Sequence, residues 1–157
     1  MRVSRERMYM DIAQAFAKRS TCFRNNVGAV IVSINDWTIN GTGYNGPPSG
    51  DTHCRGNDCS LTDTGGCARS VHAEINALHR MSYPIMGEQW LFTTRSPCRD
   101  CAIAIRDSGA IQRVFFEEPY KDAGPLDKLT DAGIEVYRVT PNGMVISALF
   151  PQDIVAE

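Results

Sequence analysis

One histidine and one C-x-x-C pair, each at the opening of a helical segment, constrain this chain more than any other feature. The first segment begins His72-Ala73-Glu74 and the second Pro97-Cys98-Arg99-Asp100-Cys101. An imidazole and two thiolates suit tetrahedral Zn²⁺ and leave its fourth position open for water, which marks a catalytic rather than a structural site. For the three donors to meet, the first turns of two helices must lie side by side at one end of the fold. Pro97 suits a helix start, since its φ is pre-set near −65° and it lacks an N–H that would go unpaired. The field at a helix N-terminus also favours thiolate over thiol. Glu74, two residues beyond the histidine, turns toward the open side of the ion without ligating it, where a carboxyl can take a proton from water and pass it on. Taken singly, His72 reads as a packed or surface histidine, Glu74 as a solvated helix charge, and the cysteine pair as a zinc knuckle or redox pair; in this order the residues read as one site.

The rest of the chain supplies a scaffold for two such helices. Apolar residues at 8, 12, 15 and 16 have the spacing of one buried helix face, giving a helix over 8–18. A β-branched run over 27–34, the turn pair Asn35-Asp36 and an extended piece from Trp37 predict a hairpin. Residues 41–66 are rich in Gly, Pro, Asp, Ser and Cys without periodicity, an irregular stretch long enough to need something to order it. Helices are expected over 71–81, 98–108 (closed by Gly109) and 126–132, and strands over 89–94, 114–117 and 134–139. The order α-β-β-α-β-α-β-α-β implies a three-layer α/β/α sandwich on a five-stranded mixed sheet, its later connections right-handed crossovers. At 157 residues the chain fits one domain over 1–157.

Charge narrows the partners. A net charge of −2 offers no footprint for a long polyanion, so a small substrate fits better than a nucleic-acid polymer. No run of about 18 apolar residues is present to span a bilayer, and the charges scattered through the first residues do not form an export signal, so a soluble, cytoplasmic protein with no membrane partner is expected. In such a compartment six cysteines read as metal ligands or reactive thiols before disulfides.

The H-x-E … P-C-x-x-C pattern is the signature of zinc-dependent nucleobase deaminases. With the blocks STCFRNNVGAVIV, GTGYNGPPSG, CARSVHAEINAL and SPCRDCAIAI, the chain resembles the deoxycytidylate (dCMP) deaminases of the cytidine deaminase superfamily. The resemblance implies hydrolysis of dCMP to dUMP and ammonia, supplying dUMP for thymidylate synthesis. It further implies a homohexamer, activation by dCTP with Mg²⁺, and inhibition by dTTP, with the GYNG stretch resembling the effector-binding segment. Glu74 then carries the protons, His72, Cys98 and Cys101 hold the catalytic zinc, and Ala73 and Asn45 contact substrate, Asn45 through the sugar hydroxyl. Asn45-Gly46 is equally a strong turn pair, and the two roles are compatible. Arg24 matches a basic residue suited to clamp the 5′-phosphate, or is a solvated surface side chain. Tyr120 matches an aromatic near the nucleotide, or packs its own loop.

Cys22, Cys54, Cys59 and Cys67 resemble a second, structural zinc site of some relatives, which would pin the 41–66 stretch, with His53 as substitute ligand; buried, metal-free cysteines are the other reading. Three functional rivals remain. A tRNA-adenosine or DNA-editing deaminase would call for a basic surface, a nucleoside, base or pterin deaminase needs no phosphate clamp, and a non-catalytic zinc module needs no Glu74.

Overall fold

A computed structural model describes residues 1–148 apart from 55, 57, 58 and 64. Helix α1 (Arg5–Ala17) begins at Ser4, whose hydroxyl accepts the Arg7 N–H at 3.2 Å. That capping serine moves the start ahead of residue 8, where apolar spacing alone had put it. Strands β1 (Gly28–Ser33) and β2 (Thr38–Tyr44) form an antiparallel hairpin. There follow α2 (Ala73–His79), β3 (Gln89–Arg95), α3 (Arg99–Ser108), β4 (Ile111–Glu118), α4 (Gly124–Thr130), β5 (Glu135–Val139) and β6 (Val145–Ser147).

The strands form one mixed sheet in the order β2-β1-β3-β4-β5-β6. β3, β4 and β5 run parallel, joined through α3 and α4, while β1 and β6 pair antiparallel to their neighbours. Val30, Val32, Phe92 and Phe115 face α1 through Met10 and Ala13. Ala29, Ile31, Leu91 and Val114 belong to the opposite core, with Ala77 of α2, Ile105 of α3 and Leu129 of α4. Alternate residues of β1 thus serve two buried layers, which is why that strand reads as an unbroken apolar run. The expected α/β/α sandwich is present.

Two expectations need correction. The sheet has six strands rather than five, because β6 is three residues long and exposed throughout, so burial left no alternation in its sequence. The irregular stretch expected over 41–66 starts later, since β2 continues through Gly41 and Gly43 to Tyr44. These glycines are not turn formers. A Cβ on Gly43 would sit 2.2 Å from the Ala73 carbonyl oxygen, and one on Gly41 would sit 2.6 Å from that of Ala77. Helix α2 therefore lies directly on the β2 backbone, and this contact sets the height of its first turn above the sheet. No helix among the described residues is long and apolar enough to cross a membrane.

Candidate active site

His72 and Cys98 are the N-caps of α2 and α3, both with extended backbone (φ −73°, ψ 152° and φ −72°, ψ 175°) and neither using its side chain to cap its own helix. Each side chain is left to point across the gap between the helices. His72 Nδ1 lies 3.2 Å from Cys101 Sγ and 3.3 Å from Cys98 Sγ, so one ring nitrogen faces both sulfurs. The three donor atoms all lie within 4.8 Å of one another, a set that suits tetrahedral Zn²⁺. Pro97 stands one residue before the cap rather than inside the first turn, so its missing N–H spares no helical donor; it is buried and keeps Ser96 out of helical conformation.

Glu74, in the first turn of α2, is 4% exposed, and among the described residues it is the only buried carboxyl. Its Oε2 lies 3.5 Å from Cys101 Sγ and its Oε1 lies 3.3 Å from Thr93 Oγ1. Burial raises its pKa above the ordinary carboxylate range. Cys98 is held down to about 4, chiefly by its hydrogen bond with Cys101 and then by His72, while that bond to Cys98 pushes His72 up to about 9. Cys101 is driven upward by its bond to Cys98 and by burial. The donors alone thus favour one thiolate beside an imidazolium and a protonated thiol; a divalent cation displaces those remaining protons.

His72, Cys98 and Glu74 line an open cleft of about 780 Å³, counting the solvent at its mouth, with Cys101 buried behind them. Asn45, Arg24, Ala73 and Tyr120 also line it, so the sequence-derived substrate contacts converge there. Asn45 is buried just past β2; its Oδ1 accepts from the Ser20 hydroxyl (2.6 Å) and the Val27 N–H (2.8 Å), and its Nδ2 donates to the Asn25 carbonyl (2.7 Å). One amide hydrogen is left over. Arg24 is exposed and donates through Nη1 to the Gly65 carbonyl. Tyr120 is 41% exposed, and its N–H donates to the Ser96 hydroxyl at 2.6 Å.

Residues 3–118 match the family model of the cytidine and deoxycytidylate deaminase zinc-binding region. The chain belongs to the cytidine and deoxycytidylate deaminase family. It is 35% identical over 149 residues to ComE operon protein 2 of Bacillus subtilis strain 168, covering 92% of this chain and 76% of that protein. It is 39% identical over 118 residues to the deoxycytidylate deaminase of Mycobacterium phage D29, covering 69% and 90% respectively. The crystal structure of the dCMP deaminase from cyanophage S-TIM5 in complex with dCMP and dUMP superimposes with a TM-score of 0.74 at 34% identity, over 88% of this chain and 98% of the phage chain.

In this deaminase the second cysteine group is smaller than expected. Cys54, Cys59 and Cys67 bring their sulfurs within 4.8 Å of one another, with Cys54 and Cys67 at 3.9 Å. Neither Cys22 nor His53 joins them, although Cys22 is near enough for its charge to act on Cys54. The hydrogen bond with Cys67 pushes Cys59 up to about 11. Burial raises the Cys67 thiol, but hydrogen bonds from the Arg69 N–H, Cys59, Cys54 and the Ser70 N–H outweigh it and lower its pKa.

Several cleft residues of the deaminase carry no motif. Arg95 ends β3 and donates to Asn25 Oδ1 at 3.0 Å while pairing with Glu118 at 3.3 Å. Its signal was positional, because sites in such sheets gather beyond the C-terminal ends of parallel strands. Ser70 lines the cleft with a buried hydroxyl that has no partner among the described residues.

Proposed function

We propose that this chain deaminates dCMP hydrolytically to dUMP and ammonia, with zinc held by His72, Cys98 and Cys101 and protons carried by Glu74. The observation that carries the reading is a buried carboxyl 3.5 Å from one sulfur of a His/Cys/Cys set, at the wall of an open cleft. Zinc in that set supplies Lewis acidity that makes water a nucleophile near neutral pH. Glu74 takes one proton from the attacking water and delivers it to the ring nitrogen beside C4. It then takes the remaining proton from the new C4 hydroxyl and delivers it to the amine, which leaves as ammonia as the C–N bond breaks and the C–O bond becomes the uracil carbonyl. Burial favours the first transfer, since raising the Glu74 carboxyl above its ordinary value makes it a better acceptor for the water proton.

The substrate assignment draws on the relatives named deoxycytidylate deaminase and on the cyanophage enzyme bound to dCMP and dUMP. In this reading the remaining Asn45 N–H donates to the sugar hydroxyl, the unused donors of Arg24 meet the 5′-phosphate, and Ala73 and Tyr120 flank the nucleotide. The same family reading extends to a homohexamer activated by dCTP with Mg²⁺ and inhibited by dTTP, and to a structural zinc on Cys54, Cys59 and Cys67. Ammonia release from dCMP, CMP, dCTP, deoxycytidine and adenosine, with and without the two effectors, tests the assignment. Preference for dCMP supports it. Equal rates on deoxycytidine select a nucleoside deaminase instead, and a rate on adenosine alone selects an adenosine enzyme.

A further inference from the structure

We propose that Thr93 is a positioning residue, aiming the Glu74 carboxyl so that one oxygen is anchored to the sheet and the other faces the reacting atoms. The inference rests on the reading of Glu74 as the proton carrier. Thr93 is fully buried in β3, paired with Ala29 of β1 and Phe116 of β4. Its side chain is on the α2 side of the sheet, as is Leu91 two residues earlier, in a layer otherwise filled by Ala29, Ala77, Ala102 and Phe116. A hydroxyl is exceptional at such a position. Its oxygen lies 3.3 Å from Glu74 Oε1, in the layer that holds the only buried carboxyl among the described residues.

The two carboxyl oxygens are thereby made unequal. Oε1 takes the hydroxyl of the central sheet, and Oε2 lies 3.5 Å from Cys101 Sγ on the side of the ligand set. Without that anchor the carboxyl loses its one donor from the sheet and keeps its own backbone N–H and the Cys101 thiol, both on the helix side, so it is free to turn toward them. The hydroxyl is also suited to a partner that gains and loses protons. It can donate to a carboxylate, or accept from a carboxylic acid while turning its own hydrogen to the Arg95 carbonyl, 3.1 Å away. A methyl cannot do either.

Three variants separate the hydroxyl from the packing, measured on zinc-loaded protein with dCMP. Thr93→Val keeps the shape and loses the oxygen, Thr93→Ser keeps the oxygen and loses the methyl, and Thr93→Ala loses both. The expected result is a fall in kcat of about 10-fold for Val and Ala, with KM within about twofold and zinc content unchanged, and recovery of most of that loss in Ser. If Val matches the wild type while Ser and Ala are impaired, Thr93 is a packing residue and the proposal is wrong. Should Val not fold, the Ser and Ala pair, both lacking the methyl, makes the same comparison, and equal kcat in the two overturns the proposal. Glu74→Gln is measured alongside: an active Glu74→Gln enzyme removes the underlying reading, whereas an inactive one beside an undisturbed Thr93→Val removes this inference alone.

Discussion

Gly43→Ala tests whether the seating of α2 on β2 sets the geometry of the ligand cluster. The added Cβ would lie 2.2 Å from the Ala73 carbonyl oxygen and 2.7 Å from the Ala77 nitrogen, both backbone atoms that no rotamer change can move. Restoring an ordinary contact of 3.4 Å to Ala73 lifts the start of α2 by about 1.2 Å. Ala73 is the residue between His72 and Glu74, so the displacement falls on the ligand and the carboxyl directly. Metal sites hold their ligands to within about 0.2 Å, which makes the lift several times larger than the site tolerates. Overpacking of this kind costs about 1–3 kcal/mol, or about 2–12 °C in Tm for a chain of this size. Thermal unfolding, zinc content after dialysis and kcat for dCMP should all fall together. A Gly43→Ala protein with wild-type Tm and stoichiometric zinc would refute the claim that this close approach positions the site.

Arg24→Ala should lower kcat/KM for dCMP about 10- to 100-fold, the worth of a charge-assisted contact to phosphate, while activity on deoxycytidine stays nearly unchanged. If both substrates fall together, Arg24 acts through its bond to Gly65 and the phosphate contact lies elsewhere, first near Tyr120, Lys121 or Arg95. Elemental analysis should find two zinc ions per chain, and Cys54→Ser should lose one of them and lower Tm before it lowers kcat; one zinc in the wild type removes the second site. In the metal-free protein Glu74 binds its proton more tightly folded than unfolded, so its contribution to stability is lost as pH rises from the ordinary Glu value through the raised folded one. Glu74→Gln should therefore raise the metal-free Tm more at pH 8 than at pH 5, and an equal effect at both would contradict the burial penalty.

The proposed zinc ligands were legible in the sequence because each is a rare donor at a helix opening, and helix openings leave a periodic trace. The structure places His72 and Cys98 at the two N-caps, and Cys101 within the first turn of α3. The hairpin was legible only in part. Gly41 and Gly43 resemble loop residues in sequence, since the reason for them is the backbone of α2, which approaches from far along the chain. Strand β6 left no trace, being short and exposed. Thr93 and Arg95 belong to no motif; their place in the site comes from alternation along β3 and from where that strand ends. The cysteine-rich stretch shows the opposite failure. Four cysteines suggested a closed four-sulfur site, but the composition carried no information on direction, and Cys22 does not join the other three.

The proposed division of labour has Glu74 moving protons at a metal site that it does not help to build. Its direct test is dUMP formation from dCMP by Glu74→Gln and Cys98→Ala proteins, each with its zinc content measured on the same sample. Glu74→Gln should keep zinc and lose nearly all turnover, because the amide has the shape of the carboxyl and cannot exchange the proton. Cys98→Ala should lose metal and turnover together, with one of three protein ligands gone. A zinc-replete Glu74→Gln enzyme turning over dCMP at the wild-type rate would contradict the account.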